Sequence, residues 1–265
     1  MSVESTSSSR MLAGQSRRAY ELVRANLRSG WLPRNKPLVE SELVKSTGLS
    51  RTSVRHALAR LAGDGLVERK RHTGTHATHD YYQLPIDDVL PSQPPPGFMY
   101  RKLSDNIVPM APMIRRFLES EDPEVGIIEQ IYERVSADGI EPICLRTAYY
   151  RSSIIQPESW PVCPNLEFAF QYVFGVPLGD IETVIDAMAC DEDTAKLLRI
   201  RPGAPLLVRE QRLRDENGVV QEYSFSHYPA DRVSFPLRNR DGRMTGLLAQ
   251  PEMTPDLRTG YRVPR

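Results

Sequence analysis

Two arginines and two hydroxyl side chains lie together in one short stretch, at Arg51, Thr52, Ser53 and Arg55. A guanidinium group donates paired hydrogen bonds to a guanine edge or to phosphate oxygens, and Ser or Thr hydroxyls also bind phosphate. Arg51 and Arg55 are four residues apart, so a helix places both side chains on one face. The stretch therefore indicates contact with nucleic acid, provided that a helix presents it.

A second basic stretch follows at Arg69, Lys70, Arg71 and His72, immediately before Thr73-Gly74. Residues 66–71 and 75–78 read as two short strands, and the glycine between them suits the tip of a hairpin. Such a hairpin can follow the DNA backbone or the adjacent minor groove. Any single one of these cations is equally well explained as a solvated surface residue, so the prediction rests on the whole constellation.

Three helices are predicted to hold these residues, at about 16–29, at 40–47 and from residue 51 onwards. The third has the clearest pattern, because Ser50 is a natural N-cap and Val54, Ala57, Leu58 and Leu61 form an apolar stripe. Its first turn carries the arginines away from that stripe. Three helices followed by a hairpin make a winged helix-turn-helix domain, which we predict over residues 15–79.

The distribution of charge agrees with a polyanion-binding segment. The chain of 265 residues carries 34 basic and 34 acidic side chains, so its net charge is zero. Residues 1–80 nevertheless hold 14 Lys and Arg against 7 Asp and Glu, and residues 81–265 hold 20 against 27. A basic segment joined to an acidic one indicates a DNA-binding module attached to a domain with another task.

Several classes of protein are excluded by composition and motifs. No run approaches the ~20 apolar residues of a membrane span, and no secretion signal is visible. The three cysteines (Cys144, Cys163, Cys190) are far apart and lack a CxxC spacing, so we expect no disulfide framework, no metal site and a cytoplasmic location. The sequence offers no paired nucleophile and base, so we predict no catalytic residues and no cofactor.

The remainder of the chain divides by composition into four parts. Residues 1–14 are Ser-rich and predicted to be a disordered tail, and residues 80–100 form a proline-rich, semi-rigid linker. Residues 101–235 show alternating apolar positions and two short helices in the order β-β-α-β-α-β-β. This order predicts an α+β domain with an antiparallel sheet. Residues 236–265 are predicted to be a mobile C-terminal extension.

The N-terminal segment resembles the DNA-binding domain of GntR-family bacterial transcription regulators. The similarity is carried by LSRTSVRHAL at 49–58, GLVER at 65–69 and TGT at 73–75, and it spans about residues 16–79. It implies operator contacts by Arg51, Thr52 and Arg55 and by the hairpin tip. The predicted DNA contacts are Arg51, Thr52, Ser53, Arg55, Arg71, His72, Thr73 and Gly74. The sequence departs from the family at Val39, which replaces a capping serine, and at Ser41, which replaces a DNA-contacting arginine.

The second half resembles the effector-binding UTRA domain of the HutC subfamily, which has a chorismate-lyase-like fold. The matching segments are 134–142, 174–175, LRIRPGAPLL at 198–207 and YPADR at 228–232. The resemblance implies a homodimer formed mainly through this domain and a small-molecule effector. The residues it implies for the effector site are Arg134, Ser136, Arg146, Asn165, Glu222 and Tyr228.

Three of these six residues depart from the usual pattern of the subfamily. Ser136 stands where a second arginine is usual, Arg146 replaces a glutamate and Asn165 replaces a serine. Because fewer donors remain for a dianion, we expect a monoanionic or amphipathic metabolite rather than a sugar phosphate. The alternative is that Arg134 and Arg146 merely form ion pairs across the sheet with Glu129, Glu133 or Glu222.

The sequence therefore predicts a transcriptional repressor that releases operator DNA when an effector binds its C-terminal domain. In this scheme a dimer places two recognition helices on half-sites, and the proline-rich linker transmits the effector signal to them. Two alternatives stay open. One is a constitutive DNA-binding repressor without an effector, and the other is a chorismate-lyase-like enzyme, although fold alone does not imply function.

Overall fold

The structure is a computed structural model that describes residues 3–84, 98–136, 139–154, 166–240 and 243–246. Its N-terminal part, called the head below, consists of α1 (Val3–Arg28), α2 (Glu40–Thr47), α3 (Arg51–Gly63), β1 (Val67–Lys70) and β2 (Gly74–Ala77). Strands β1 and β2 pair in antiparallel fashion as a hairpin. The three helices and the hairpin match the predicted winged helix-turn-helix arrangement.

The core of the head is formed by the apolar stripes of its three helices. Val23 and Leu27 of α1 pack with Leu43 of α2 and with Val54 and Leu61 of α3, and all five are buried. Removing a buried leucine from such a core typically costs about 2–5 kcal/mol. This packing fixes α3 against the body of the head and leaves its opposite face in solvent.

Helix α1 begins at Val3, so residues 3–14, which the sequence predicted as a disordered tail, are helical. No proline interrupts this segment. The Ser16 hydroxyl donates to the Leu12 carbonyl (2.9 Å), and Gln15 accepts a hydrogen bond from Ser53 of α3. These bonds hold the helix at the point where the sequence predicted that it would start.

The C-terminal domain follows a short strand, β3 (Tyr82–Gln83). Its further elements are β4 (Phe98–Pro109), α4 (Pro112–Leu118), β5 (Glu124–Ser136), β6 (Gly139–Arg151), α5 (Leu166–Phe174), β7 (Leu178–Ala189), α6 (Glu192–Leu198), β8 (Pro205–Asp215), β9 (Val220–Pro229), β10 (Val233–Ser234), β11 (Leu237–Arg240) and β12 (Arg243–Gly246). Six strands form one antiparallel sheet in the order β4-β5-β6-β9-β8-β7. The predicted α+β class with an antiparallel sheet is confirmed.

Helices cover both faces of this sheet. Helix α5 packs on the face that carries Ala148 and Tyr150 of β6. Helices α4 and α6 lie on the other face, where Tyr223 of β9 and Leu145 of β6 belong to their cores. Successive residues of a strand point to opposite faces, and this alternation separates the two layers.

Strand β4 and helix α4 are the longest of the elements that were not predicted from the sequence. Strand β4 lies at an edge of the sheet, and its exposed and buried positions do not alternate cleanly. An edge strand packs less of its surface, so its sequence carries a weaker periodic signal.

The segments on either side of the C-terminal domain also differ from the predictions. Strand β3 lies inside the predicted linker at 80–100 and pairs with β10, while residues 85–97 lie outside the described residues. The predicted mobile extension starts with a hairpin formed by β11 and β12. No helix in the described ranges is both long and apolar enough to cross a bilayer.

Candidate nucleic-acid interface and buried polar site

The first turn of α3 presents its arginines to solvent. The Ser50 side chain accepts a hydrogen bond from the Ser53 backbone amide (3.2 Å), which confirms the predicted N-cap. Arg51, Thr52 and Arg55 are exposed, and both arginine side chains are 70% accessible. The helix is therefore fixed at the end that carries the predicted base contacts.

Ser53 does not belong to this exposed surface, so the prediction that it contacts DNA is wrong. The residue is fully buried, and its hydroxyl donates to the Gln15 side chain (3.2 Å) and lies 2.8 Å from the Ser50 hydroxyl. Ser53 falls on the side of α3 that packs on α1. Its hydrogen bonds tie the first turn of α3 to α1.

Glu40, at the first position of α2, connects the two exposed arginines. Its carboxylate lies 3.4 Å from Arg51 Nε and 4.0 Å from Arg55 Nε. Glu40 was not among the residues predicted for the interface. Glu40 stands at the start of a helix whose N-cap, Val39, makes no side-chain capping bond, as its residue type predicted.

The hairpin tip forms a second exposed cationic surface beside α3. Arg71, His72 and Thr73 are exposed at the turn between β1 and β2. His72 has a φ of 71° and Gly74 a φ of 98°, so the turn uses left-handed backbone that glycine adopts readily and other residues rarely do. The Thr73 carbonyl lies 3.0 Å from the His76 ring, which braces the tip.

A strip of polar side chains crosses the α5 face of the sheet. We call it the polar strip, and it consists of Gln130, Arg146, Arg209, Gln211, Glu222, Ser224 and Ser226, all of them buried. Strand pairing places these residues together, because Arg146 lies opposite both Gln130 and Ser226, and Ser226 lies opposite Arg209. Buried polar groups in such number require partners.

The centre of the polar strip is an ion pair between Arg146 and Glu222. Arg146 also donates to Gln130 Oε1 (3.1 Å). Burial opposes the charge on Arg146, but the adjacent Glu222 carboxylate outweighs this effect and raises the pKa of the guanidinium. Arg146 Nε and the Ser224 hydroxyl have no hydrogen-bond partner among the described residues.

Arg209 forms the end of the polar strip with two aromatic rings. Its guanidinium carbon lies 5.4 Å from the Tyr228 ring centre and 5.3 Å from that of Phe235. The two rings meet edge to face at 5.1 Å. Burial raises the pKa of the Tyr228 hydroxyl, which therefore stays protonated and able to donate. This end of the strip combines a cation with an apolar wall.

The structure brings together only part of the predicted effector residues. Arg146 and Glu222 are paired as the alternative prediction stated, and Tyr228 lies at the Arg209 end of the polar strip. Arg134 instead lies 3.6 Å from Asp80 and stacks on the Tyr82 ring at 5.1 Å.

The remaining two predicted effector residues are not part of the polar strip as described. The Ser136 hydroxyl donates to the Gly139 carbonyl (3.3 Å) at the end of β5. Asn165 lies outside the described residues.

Sequence reasoning missed most of the polar strip, including Arg209, Gln130 and the two serines. A usable signal was present on β9, where Glu222, Ser224 and Ser226 occupy alternate positions of one strand. Alternate residues share a face, so this pattern marks a polar face on a strand that lies inside the sheet.

Comparisons with known proteins agree with this division of the chain. Residues 15–76 match the family described as bacterial regulatory proteins, gntR family, and residues 132–234 match the UTRA domain. The chain is 23% identical over 226 residues to the HTH-type transcriptional repressor NagR of Bacillus subtilis, covering 81% of this chain and 90% of that protein.

A second relative and a solved structure extend the comparison. The chain is 24% identical over 210 residues to the histidine utilization repressor of Pseudomonas aeruginosa, covering 74% of this chain and 79% of the relative. The crystal structure of PhnF from Mycobacterium smegmatis superposes with a TM-score of 0.54 at 19% identity, covering 84% of this chain and 99% of PhnF. That structure shares the fold.

Proposed function

This chain belongs to the GntR family of bacterial regulatory proteins, in the HutC subfamily that carries a UTRA domain, and from this premise we propose that it is a repressor acting as a homodimer. It is a DNA-binding transcriptional regulator controlled by a small-molecule effector. The proposal is carried by one observation, the exposed pair Arg51 and Arg55 on the capped first turn of α3. Such a regulator acts in the cytoplasm, where its operator lies.

On DNA, α3 enters the major groove and presents Arg51 and Arg55 to base edges or phosphates. A B-DNA major groove about 12 Å wide accepts one helix, and the first turn of that helix reaches deepest. The hairpin tip with Arg71 and His72 follows the neighbouring backbone and minor groove. Glu40 sets the direction of both arginines before contact.

The DNA-binding proposal is tested with a duplex that the wild-type chain selects from a random pool. Arg51→Ala or Arg55→Ala is expected to cost about 1–3 kcal/mol, which is a loss of roughly 5- to 150-fold in affinity. Arg116→Ala, an exposed arginine of α4, serves as the matched control and leaves affinity unchanged. Equal affinity of all three variants would refute the role of α3.

We propose that the dimer forms by pairing of β7 with its copy. Strand β7 is an edge strand that exposes Val184 (56%), Ile185 (40%) and Met188 (44%). Two-fold pairing centred on Ile185 sets Glu182 opposite Met188 of the partner subunit. Pairing centred on Val184 would set Glu182 against Asp186 of the partner subunit, and like charges directly opposite each other destabilise a sheet. The Ile185 register is therefore favoured.

Sedimentation velocity tests this assembly. Ile185→Asp is expected to give a monomer, because it places carboxylates at the two-fold axis of the joined sheets. Ile107→Asp is the control, since Ile107 is similarly exposed (48%) on β4 at the opposite edge of the sheet. If Ile185→Asp remained a dimer, or if only Ile107→Asp became a monomer, the interface would lie elsewhere.

We propose that the effector binds at the polar strip through a carboxylate or another single negative charge. The described residues of the strip hold two guanidinium groups, Arg146 and Arg209, and one carboxylate, Glu222. Guanidinium groups bind carboxylates well, and Ser136 stands where the subfamily usually has a second arginine, so fewer donors remain for a dianion. The rings of Tyr228 and Phe235 beside Arg209 suit an apolar part of the same molecule.

Thermal shift of the full chain tests this site with monocarboxylates and sugar phosphates as probes. A ligand that binds only the folded state stabilises it by about 2.7 kcal/mol at one hundred times its Kd. Arg209→Met is expected to abolish the shift given by a carboxylate. Arg212→Met is the matched control, because Arg212 is on the same strand, pairs with Glu182 and stacks over Phe117.

The sequence-based prediction for Arg134, Ser136 and Asn165 is tested in the same assay. Loss of the carboxylate shift in Arg134→Ala with DNA binding intact would support Arg134 as a ligand. A chain that binds its selected duplex but responds to no probe would be the constitutive repressor. Turnover of a chorismate-like compound would contradict our proposal that the chain has no catalytic activity.

A further inference from the structure

Residues 79–84 connect the head to the C-terminal domain, and we call this segment the joint. The joint is bound to β10 by backbone hydrogen bonds, from the Tyr82 amide to the Arg232 carbonyl (2.7 Å) and from the Leu84 amide to the Ser234 carbonyl (2.9 Å). Strands β3 and β10 pair in parallel. The start of the predicted linker is thus part of the C-terminal domain.

Two consecutive tyrosines of the joint belong to two different cores. Tyr81 packs against the core of the head, and Tyr82 packs against a cluster of the C-terminal domain that contains Cys144 and Tyr228. Side chains alternate in direction along extended backbone, so neighbouring residues can enter opposite bodies. On the head side, the Gln83 side chain also donates to the Arg28 carbonyl at the end of α1 (3.1 Å).

Charged side chains hold the first residues of the joint on the C-terminal domain. His79 Nδ1 lies 2.6 Å from Glu141, whose carboxylate is also 3.4 Å from Arg232 Nε. Asp80 lies 3.6 Å from Arg134. Burial opposes the charge of Glu141, but His79, Arg232 and Arg134 outweigh that effect and lower its pKa.

A cleft separates the head from the C-terminal domain. It has a volume of about 540 Å³. Tyr20, Arg24 and Leu66 line it from the head, and Arg201 and Ala230 line it from the C-terminal domain. The two bodies face each other across this space, and the joint is the chain segment that connects them.

The apolar cluster that contains Tyr82 also borders the polar strip at its Arg209 end. Tyr228 and Phe235 belong to it, and Arg209 stacks on both of their rings. A ligand that engages Arg209 must therefore act on rings that share a cluster with Tyr82. Packed cores change between discrete arrangements rather than deforming continuously, so such a change is passed on to the joint.

We propose that the joint, with Tyr81 in one core and Tyr82 in the other, is the element that couples the polar strip to the orientation of the head. The inference rests on the proposed function, and it assigns the coupling to residues 79–84 in place of the proline-rich segment that follows them. Tyr82 and Tyr81 act as positioning residues in this coupling. Because coupling is reciprocal, DNA bound at the head must alter the C-terminal domain through the same residues.

The test measures amide hydrogen exchange of the full chain with and without its selected duplex. In the wild type, the duplex is expected to change exchange rates in β8, β9 and β10 at least threefold. Insertion of two glycines between Tyr81 and Tyr82 leaves both side chains free to enter their cores but removes their fixed adjacency. This variant is expected to bind the duplex within threefold of wild type and to lose the change in β8, β9 and β10.

The same two-glycine insertion after Gln93, in the proline-rich segment, is the matched control and is expected to keep the change. Tyr82→Ala, compared with Tyr172→Ala on the exposed side of α5, gives an independent pair if the insertion prevents folding. The proposal would be overturned if the duplex still changed amide exchange in β8, β9 and β10 of the variant with the insertion after Tyr81. It would also be overturned if that change were lost in the variant with the insertion after Gln93. Failure to select any duplex would instead contradict the proposed function.

Discussion

Replacing Glu222 by leucine removes one partner of the most deeply buried ion pair in the described residues. The side chains of Arg146 and Glu222 are only 3% and 2% accessible, so water cannot replace the lost carboxylate. Breaking a buried pair in this way typically costs about 3–5 kcal/mol, because an unpaired charge is left in a medium of low polarity. Gln130 remains as a partner of Arg146 (3.1 Å), but a neutral amide does not balance a guanidinium charge.

The expected change is measurable by calorimetry of the full chain. A domain of this size loses about 2–4 °C in Tm for each kcal/mol, so Glu222→Leu should lower the transition of the C-terminal domain by roughly 6–20 °C. The transition of the head should not move. The double variant Arg146→Met with Glu222→Leu removes both charges, and its stability should return to that of the wild type or exceed it.

The double-mutant cycle decides whether the two residues form a coupled pair. A coupling energy of zero, with the loss in the double variant equal to the sum of the two single losses, would show that they do not interact. A decrease of less than about 2 °C in Glu222→Leu would show that the site is hydrated. Either result would refute the assignment of the polar strip as a buried, charge-paired site.

Three further predictions concern local features of the fold. Ser50→Ala should destabilise the head by about 1 kcal/mol in denaturant unfolding, because the first turn of α3 loses its cap. Gly179→Ala should destabilise the C-terminal domain by about 1–3 kcal/mol, since a methyl group there would lie 2.2 Å from the Asp215 carbonyl oxygen, and an unchanged Tm would contradict that geometry. Burial lowers the pKa of His227 below its ordinary 6.5, so its contribution to stability is complete above pH 6.5 and is lost as the pH falls towards the lowered value. Tm measured between pH 7.5 and 5.5 should therefore fall less in His227→Gln than in the wild type, with the exposed His56→Gln as the control.

The ion pairs of Glu40 with Arg51 and Arg55 give a further prediction about the specificity of the proposed DNA contact. Exposed arginine side chains, here 70% accessible, are attracted to any phosphate, and this attraction is independent of sequence. A carboxylate between them restricts their directions before binding. Glu40→Gln should therefore raise the affinity for random duplex relative to the selected duplex, which a competition experiment measures.

Much of the head was predictable because its signals are local. The bounds of α2 and the cap at Ser50 follow from short-range rules of helix initiation and termination, and the structure has both as predicted. The amphipathic stripe of α3 likewise identifies its buried face. The burial of Ser53 was not predicted. A small polar residue next to the apolar stripe is buried or exposed according to what packs against it, and here its hydroxyl donates a hydrogen bond to Gln15 of α1.

The C-terminal domain was predictable in class but only partly in its site. Alternation indicated the strands, and turn residues indicated the hairpins, so the antiparallel sheet followed from the sequence. Which strands become neighbours is a long-range property, and β6 pairs with β9 across some eighty residues. The polar strip exists only through these pairings, and for that reason Arg209 and Gln130 were not identified.

The order of amino acids is enough to identify the kind of molecule: a basic winged helix with exposed arginines, followed by an α+β domain. Periodicity, caps and charge are encoded over a few residues, and they need no knowledge of distant partners. The pairing of Arg146 with Glu222 and of Arg134 with Asp80, and the packing of Tyr81 and Tyr82 in two cores, become visible only in the folded chain. Ion pairs and core contacts depend on distances between residues far apart in the chain, and those distances are set when the sheet and the head pack together.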